Sequence, residues 1–318
     1  MAVKPVFLLS LPRSGSTMLQ RALGRHPNIA TLSEPWFLFG LIPPTAIDEA
    51  VATYEYSTYR MAIEDLTAAL PNGVDDWNDA MRSAAQVIYD RLCPDDQALF
   101  FLDKTPRYAL APKAVTALFP DAPVIILWRN PLAIAASMMT TWSKGRWNLF
   151  RFKQDLDIAL PRLIDFARAN DSALTIRYEE ASANLDAATA AVCDHLGIAS
   201  ANSSENTDVT LSGRMGDPTG GMKQVAADDR WKAMYCNPLR RWWARRYLDR
   251  IGRDGLAVMG YDIDTLKSEL KTCTGVFRYL GTDLLLMPWG MLRAVFVLPL
   301  IGRQLRRLFA GQPVTEVD

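Results

Sequence analysis

The sequence is poor in the residues from which several common kinds of active site are built. Only two of its 318 residues are histidines, His26 and His195, which leaves little material for a histidine-rich zinc site or a Ser-His-Asp triad. The four cysteines lie far apart, and no Cys-x-x-Cys motif occurs, so neither a disulfide scaffold nor a zinc ribbon is indicated. The sequence therefore points away from metal centres and from histidine-dependent hydrolases.

A surplus of charge of either sign is also missing. The 35 Lys and Arg residues balance the 35 Asp and Glu residues, whereas nucleic-acid-binding proteins usually carry a basic surplus. We therefore expect no nucleic-acid partner. The chain is 49% hydrophobic and 10% aromatic, which excludes wholesale disorder. Its length allows one large α/β domain or two small ones.

No apolar run in the first residues is long enough for a secretory signal. The run at 6–11 ends at Pro12, and a signal peptide needs a longer apolar region with a cleavage site. We therefore expect the body of the protein to be cytoplasmic.

The C-terminal tail carries two charge-free runs that are each too short to span a bilayer. The runs at 284–292 and 294–302 are separated by Arg293 and interrupted by Pro288 and Pro299, and a spanning helix needs about 20 mostly apolar residues. A tail of this kind suits a segment lying on a membrane surface. It is equally typical of an apolar tail packed on the body or on a second copy in a homodimer, and the sequence leaves these alternatives open.

Short apolar segments alternate with longer helical patterns along the first 200 residues. Strands are predicted at 6–11, 100–102, 124–128 and 173–177, with one more before Glu34. Helical patterns cover 17–24, 57–70, 77–92, 132–142, 152–169 and 184–196. This alternation predicts an α/β fold with a parallel sheet covered on both faces. We assign 1–264 to this domain and 265–318 to a helical, apolar and basic C-terminal extension.

The first strand is followed by a polar loop that is suited to binding an anion. In Pro12-Arg-Ser-Gly-Ser-Thr17, Gly15 permits a tight turn, and the N–H groups at the start of the next helix face outward beside three hydroxyls. The alternative is a helix N-cap made of Ser and Thr. The G-x-x-x-x-G-K-[ST] motif of nucleotide triphosphatases is missing here, so a Mg-dependent ATPase is poorly supported.

A second anion site is predicted after the strand at 124–128. Arg129 follows this strand, and Ser137 lies eight residues later, about two turns into the next helix. Ligands of open α/β sheets bind at the carboxyl edge, so two phosphate sites at one edge indicate a ligand with two phosphates. The alternative is that Ser137 is a small packing residue and Arg129 a solvated loop charge.

These segments resemble those of the sulfotransferases. The string at 11–17 resembles their 5′-phosphosulfate-binding loop, and the segment at 128–137 resembles their 3′-phosphate motif with its usual Arg-to-Ser spacing. The segments at 103–107 and 177–180 also resemble segments that the family carries at the corresponding places in the chain. The likeness is closer to the PRSGS/T-type branch, which includes bacterial carbohydrate and lipid enzymes and the tyrosylprotein enzymes. The cytosolic aryl and steroid type has a Lys in place of Arg13.

This resemblance implies a P-loop-like sheet of about five parallel strands flanked by helices, and a co-substrate. The co-substrate is 3′-phosphoadenosine 5′-phosphosulfate (PAPS), which leaves as adenosine 3′,5′-bisphosphate (PAP), and the chemistry requires no metal. The implied contacts of the 5′-phosphosulfate are Arg13, Ser14, Gly15, Ser16 and Thr17. Arg129 and Ser137 would hold the 3′-phosphate, and Tyr178 would lie near the adenine.

The resemblance also implies catalytic roles for Glu34, Arg13 and Lys104. Aryl-type enzymes use a histidine as the base, and neither histidine of this chain suits that role. Glu34 occupies the position of the catalytic glutamate of the PRSGT branch, as general base. Lys104, with Arg13, would stabilise the charge that develops on the leaving phosphate. The alternatives are a solvated Glu34 and a surface Lys104 paired with Asp103.

Two further basic residues, Arg214 and Lys223, lie in a Ser-, Asn- and Gly-rich stretch at 199–227. A long loop of this composition is often functional, and in the family basic residues of a late loop close over the 3′-phosphate. The two residues are therefore candidates for the same role here.

The acceptor is not defined by the sequence. The aromatic residues between 36 and 92 suit either an apolar or sugar-stacking lid or a helix core. Arginines and aromatic residues are mixed at 238–247. Such a segment is typical of a helix that lies on an anionic membrane surface or of an amphipathic helix that packs over the body. We expect a small-molecule, glycan or lipid hydroxyl. The alternatives are a P-loop kinase-like phosphoryl transferase and a non-catalytic nucleotide-binding, membrane-associated protein.

Overall fold

A five-stranded parallel sheet forms the centre of the molecule. The computed structural model describes residues 2–42, 56–93, 97–200, 229–273 and 277–296, with only the backbone at 56–61 and 289–296. The strands are β1 (Lys4–Ser10), β2 (Ile29–Thr31), β3 (Phe100–Asp103), β4 (Val124–Trp128) and β5 (Leu174–Arg177). Their order is β2-β3-β1-β4-β5, and every neighbouring pair is parallel. The predicted five-stranded parallel sheet is confirmed.

Helices cover both faces of this sheet. Those of the first 200 residues are α1 (Ser16–Leu23), α2 (Tyr56–Ala69), α3 (Val74–Leu92), α4 (Pro112–Ala117), α5 (Pro131–Ser143), α6 (Leu160–Arg168), α7 (Tyr178–Ala183) and α8 (Leu185–Leu196). Those that follow are α9 (Pro238–Val258), α10 (Ile263–Thr272) and α11 (Leu280–Phe296). The helical pattern predicted at 152–169 is not one regular helix: a π-helical turn covers Gln154–Ala159 before α6. Pro161 has no N–H for the i→i−4 hydrogen bond, which disfavours a regular α-helix through this point.

The strands read as continuous apolar runs because both faces of the sheet are buried. Phe7 and Leu9 of β1 face one core, to which α3, α5, α6 and α9 contribute. Val6 and Leu8 alternate with them and face a second core under α1, α7 and α8. A strand between two apolar layers needs apolar residues at every position rather than at alternate ones.

The connectivity brings four chain segments to one edge of the sheet. After central β1 the chain forms β2 and then β3 on one side of it, and it crosses to β4 on the other. All five strands are parallel, so the segments that follow β1, β2, β3 and β4 leave at the same carboxyl edge. The point at which such a sheet reverses its direction of growth is where open α/β folds bind ligands.

The start of the C-terminal extension is fastened to the body by a buried ion pair. Arg240 of α9 donates from Nε to Asp283 Oδ2 of α11 at 2.6 Å and from Nη2 to Oδ1 at 2.9 Å, and both side chains are fully buried. The same Nη2 atom donates to the carbonyl of Gly145 at 2.9 Å. Helix α10 runs across the predicted boundary between 264 and 265. The start of α11 is therefore fixed to the α/β body.

Helix α11 contains Pro288 and has 17 residues. Within the ranges given above, none of the helices combines the length and the hydropathy that are needed to cross a bilayer.

Candidate active site

The loop at 12–17 that follows β1, the anion loop, has the features of an anion-binding site. Arg13 and Gly15 have left-handed backbones with φ of 69° and 88°, so the chain turns tightly before α1 begins at Ser16. No side chain caps the start of this helix, which rules out the alternative of a Ser or Thr N-cap. The hydroxyl of Ser14 is buried and has no hydrogen-bond partner in the part of the chain that the structure describes. A buried, unsatisfied hydroxyl beside an uncapped helix start fits a phosphate or sulfate group.

Gly15 is required by a close approach of Tyr178. A Cβ atom on Gly15 would lie 2.2 Å from Cδ2 of the Tyr178 ring, so any other residue would displace the ring as well as strain the backbone. The guanidinium carbon of Arg129 lies 4.3 Å from the centroid of the same ring, at cation–π distance. Tyr178 thus lies between the loop and Arg129, and its contact with adenine stays a prediction.

The two predicted anion sites adjoin each other. Arg129 donates from Nη1 to the carbonyl of Arg13 at 2.7 Å, and Arg13 donates from Nε to Ser137 Oγ at 3.2 Å. Arg129 is only 9% exposed, so the alternative of a solvated loop charge is wrong. Helix α5, which carries Ser137, is fixed at its start by Asn130, whose side chain accepts from the N–H of Leu132.

Glu34 and Lys104 meet beside this loop although 70 residues separate them in the chain. Lys104 donates from Nζ to Glu34 Oε1 at 2.9 Å and to Thr17 Oγ1 at 3.3 Å. The Lys104 side chain is fully buried and that of Glu34 is 13% exposed. The alternatives of a surface lysine and a solvated glutamate are therefore wrong. A carboxylate, an ammonium group and a hydroxyl thus converge at the edge of the anion loop.

Sequence reasoning missed the contact that Trp36 makes with Glu34. Its indole Nε1 donates to Glu34 Oε2 at 3.2 Å, whereas the neighbouring aromatic residues pack inward. Phe37 and Phe39 pack edge-on against Tyr89 and Tyr108, with centroids 5.2 Å and 5.1 Å apart. The aromatic segment is therefore part core and part site. A tryptophan two residues from the proposed base is a weak signal, because aromatic residues are more often used for packing.

Asp103 forms a buried polar cluster behind the site. Its carboxylate accepts from the hydroxyls of Tyr89 at 2.8 Å, Tyr108 at 3.4 Å and Thr105 at 3.4 Å. Burial raises the pKa of Asp103 to about 7, although these hydrogen bonds act in the opposite direction. The sequence did not reveal this cluster of three hydroxyls around one buried carboxylate.

His26 and Arg107 have hydrogen-bond or ion-pair partners of their own. His26 lies three residues beyond the last residue of α1, Leu23. Its Nδ1 accepts from the N–H of Asn28, and its Nε2 lies 2.8 Å from the carbonyl of Ala199. Arg107 forms an ion pair with buried Asp155 at 2.9 Å. Arg214 and Lys223 lie outside the described residues. Among the residues that are described, no cluster of three or more Asp, Glu, His or Cys could hold a metal ion.

Comparison with known proteins places these features in one family. The sequence model described as "Sulfotransferase family" matches residues 5–202. Nodulation protein NoeE of Sinorhizobium fredii (strain NBRC 101917 / NGR234) is 35% identical over 136 residues, which cover 43% of this chain and 31% of NoeE. An uncharacterized protein of Aquifex aeolicus (strain VF5) is 27% identical over 136 residues, or 42% of this chain and 16% of that protein. The chain thus matches less than a third of the length of either relative.

A solved structure shows the same fold. The sulfotransferase domain of the Synechococcus PCC 7002 olefin synthase superposes with a TM-score of 0.50 at 22% identity, over 73% of this chain and 88% of that domain. The family model covers more than half of the chain, and it includes the anion loop, Glu34, Lys104 and Arg129. The chain belongs to the sulfotransferase family.

Proposed function

We propose that the protein transfers the sulfuryl group of PAPS to a hydroxyl of a small molecule, glycan or lipid, with Glu34 as the general base. Sulfuryl transfer in general follows from the family. The observation that carries the finer proposal is the contact of Glu34 and Lys104 beside the anion loop. This contact supplies a base and a cation within one cluster, next to a second cationic pocket at Arg129.

The residues present fit a nucleotide that carries phosphate at both ends. The 5′ group would be held by the N–H groups at the start of α1 and by the Ser14 hydroxyl, which has no partner among the described residues. The 3′-phosphate would be held by Arg129 and Ser137. These two residues contact the backbone and side chain of Arg13, respectively, so a single ligand can reach both pockets. Tyr178 lies between the pockets, in a position suited to the nucleoside.

The chain's own groups supply what sulfuryl transfer requires. Glu34 accepts the proton of the acceptor hydroxyl, and the acceptor oxygen forms a bond to sulfur. The bond between sulfur and the bridging phosphate oxygen breaks, and its electron pair stays on the phosphate of PAP. Lys104 and Arg13 stabilise the negative charge that develops there.

Preference for PAP over ATP tests this proposal against a phosphoryl transferase. A ligand that binds only the folded state raises the melting temperature. We expect PAP to raise it by several degrees and ATP with Mg²⁺ to have little effect, because the loop carries no Walker lysine. Preference for ATP would favour the kinase-like alternative. Stabilisation by PAP without turnover of PAPS, with or without added alcohols, would favour a non-catalytic nucleotide-binding protein.

We also propose that the C-terminal extension contacts an anionic membrane surface. Leu284 and Leu285 of α11 are 57% and 75% exposed, and Phe277 is 72% exposed. Residues 265–318 contain seven Lys and Arg residues and four Asp and Glu residues, and one of the acidic residues, Asp283, is buried against Arg240. Exposed apolar side chains in a segment with a basic surplus favour anionic lipid more than a second copy of this chain.

Replacing Leu285 with glutamate should weaken binding to vesicles that contain phosphatidylglycerol by at least about tenfold, because it removes an exposed leucine that would be buried in the lipid and adds repulsion. The measurement is co-sedimentation with phosphatidylcholine vesicles with and without phosphatidylglycerol. Val87→Glu, at an apolar residue of α3 that is 55% exposed, is the matched control and should bind like the wild type. Equal binding of Leu285→Glu and the wild type to the vesicles would contradict the membrane proposal. It would also be contradicted if the wild type formed a dimer that Leu285→Glu dissociates and did not bind vesicles.

A further inference from the structure

We propose that Trp36 is a positioning residue for the base, fixing one oxygen of Glu34 while the other oxygen meets the reacting groups. The inference rests on the proposed function in that it takes Glu34 as the base. It goes beyond that proposal by adding a residue that touches neither the nucleotide nor the reacting atoms.

Both oxygens of the Glu34 carboxylate are held, and by donors of different kinds. Oε1 accepts from the Lys104 ammonium at 2.9 Å, and Oε2 accepts from the Trp36 indole at 3.2 Å. The Lys104 ammonium group is carried by a flexible side chain and also contacts Thr17 of the anion loop. It can therefore turn towards a phosphate on which negative charge develops. The indole N–H is a rigid donor without that option. When Lys104 turns to the leaving group, Oε1 becomes available to take the proton, and Trp36 keeps the carboxylate in place through Oε2.

The backbone of Trp36 is set for this contact at a conformational cost. Its φ is 61° and its ψ is −13°, in the left-handed region, which a non-glycine residue adopts only where the surroundings impose it. The backbone N–H of Trp36 donates to Thr105 Oγ1 at 3.2 Å. The residue next to Lys104 therefore holds the backbone that aims the indole at Glu34.

The buried carboxylate of Asp103 orients the hydroxyl of Thr105. The Thr105 hydroxyl donates to Asp103 Oδ1, so its lone pairs are left to accept the N–H of Trp36. Tyr108 acts in the same way, since its hydroxyl donates to Asp103 Oδ2 and accepts the N–H of Leu38 at 3.3 Å. Two hydroxyls oriented by one buried carboxylate thus pin the segment that follows Glu34.

The last residue of β3 and the two residues that follow it therefore act together on both oxygens of Glu34. Lys104 contacts Oε1 directly, and Thr105 acts on Oε2 through Trp36, with Asp103 behind it. A base whose orientation is fixed by a further hydrogen-bonded group is the general arrangement of acid–base sites. The role assigned to Trp36 is that of orienting the base and not of chemistry.

The test measures the effect of Trp36→Phe in the wild-type protein and in the Glu34→Gln variant. The measured quantity is the rate at which PAP is released from PAPS, with water as the acceptor. Phenylalanine keeps the aromatic ring and removes the N–H. We expect kcat to fall by about tenfold to a hundredfold, a loss typical of one well-placed polar contact, while the dissociation constant of PAP stays unchanged. In the Glu34→Gln background the same substitution should cause no further loss, because residues that act as one unit are not additive.

Trp77→Phe is the matched control. The Trp77 indole donates to the carbonyl of Leu41 at 3.0 Å, so the control also removes one indole hydrogen bond, close to the same segment but without contact to Glu34. It should leave kcat unchanged. An equal loss of kcat in Trp36→Phe and Trp77→Phe, or an equal effect of Trp36→Phe in both backgrounds, would overturn the proposal.

A second readout does not depend on turnover. In ¹⁵N-labelled protein, the indole N–H signal that disappears in Trp36→Phe should move when Glu34 is replaced with glutamine, and the signal of Trp77 should stay. A Trp36 signal that does not respond to Glu34→Gln would overturn the proposal even if PAPS turnover is normal. Conversely, a responsive signal together with normal turnover of Glu34→Gln would reject the proposed base while leaving the contact intact.

Discussion

Glu34→Gln is expected to reduce sulfuryl transfer by about 10²–10⁴-fold, the usual contribution of a general base. Glutamine has the same shape, and its carbonyl oxygen can still accept from Lys104, which contacts Glu34 at 2.9 Å. The buried lysine therefore keeps a hydrogen-bond partner, and the fold should persist. What is lost is a group that can take the acceptor's proton. The measurement is the rate of PAP release from PAPS, with the affinity for PAP recorded in parallel and expected to be nearly unchanged.

Glu180→Gln is the matched control for this substitution. Glu180 is an exposed carboxylate that pairs with Arg177 at the end of β5, and it does not contact Glu34 or Lys104 in the described structure. Its replacement should leave turnover close to that of the wild type. Normal turnover in Glu34→Gln would show that another group accepts the proton, and a comparable loss in both variants would point to a general electrostatic effect.

Arg129→Ala is expected to weaken the binding of PAP by about tenfold to a hundredfold, because a hydrogen bond between charged groups is worth about 1.5–3 kcal/mol. The substitution removes the proposed 3′-phosphate contact. It also removes the donor to the Arg13 carbonyl and the guanidinium beside Tyr178. Ser137→Ala should have a smaller effect of the same kind, because it removes a neutral hydroxyl.

A comparison of two ligands distinguishes a direct contact of Arg129 with the 3′-phosphate from a general disruption of the anion loop. Adenosine 5′-phosphosulfate lacks the 3′-phosphate, so its affinity should change much less than that of PAP in Arg129→Ala. Equal losses for both ligands would mean that Arg129 acts by supporting the loop through Arg13. Arg177→Ala, at a partly exposed arginine next to Tyr261, is the control and should affect neither ligand.

The sheet and its edge could be predicted because each depends on local patterns and on topology. Strands buried on both faces appear as short apolar runs, such as 124–128, and parallel strands bring their following loops together without any knowledge of distances. These two rules were enough to place Ser14, Glu34, Lys104 and Arg129 at one edge. The family resemblance added the chemistry that the patterns alone left open.

The contacts that complete the site could not be predicted, because they depend on register and side-chain direction. Lys104 was open to interpretation as a surface residue, and only the packing of β3 between β1 and β2 shows it buried against Glu34. Trp36 reaches Glu34 through a left-handed backbone that nothing in the local sequence demands. The pairing of Arg240 with Asp283 is likewise invisible to local pattern, since it joins two helices that are distant in the chain.

Titration of the wild-type protein with PAP in a calorimeter tests the central claim most directly. We predict one PAP bound per chain and a loss of affinity of at least about tenfold when either phosphate is missing from the ligand, as in AMP or 3′-AMP, because each phosphate is held by charged or polar groups of its own pocket. AMP and 3′-AMP should compete with each other. Binding of two ligands per chain, or simultaneous binding of AMP and 3′-AMP without competition, would contradict the view that one nucleotide bridges the pockets at Gly15 and Arg129.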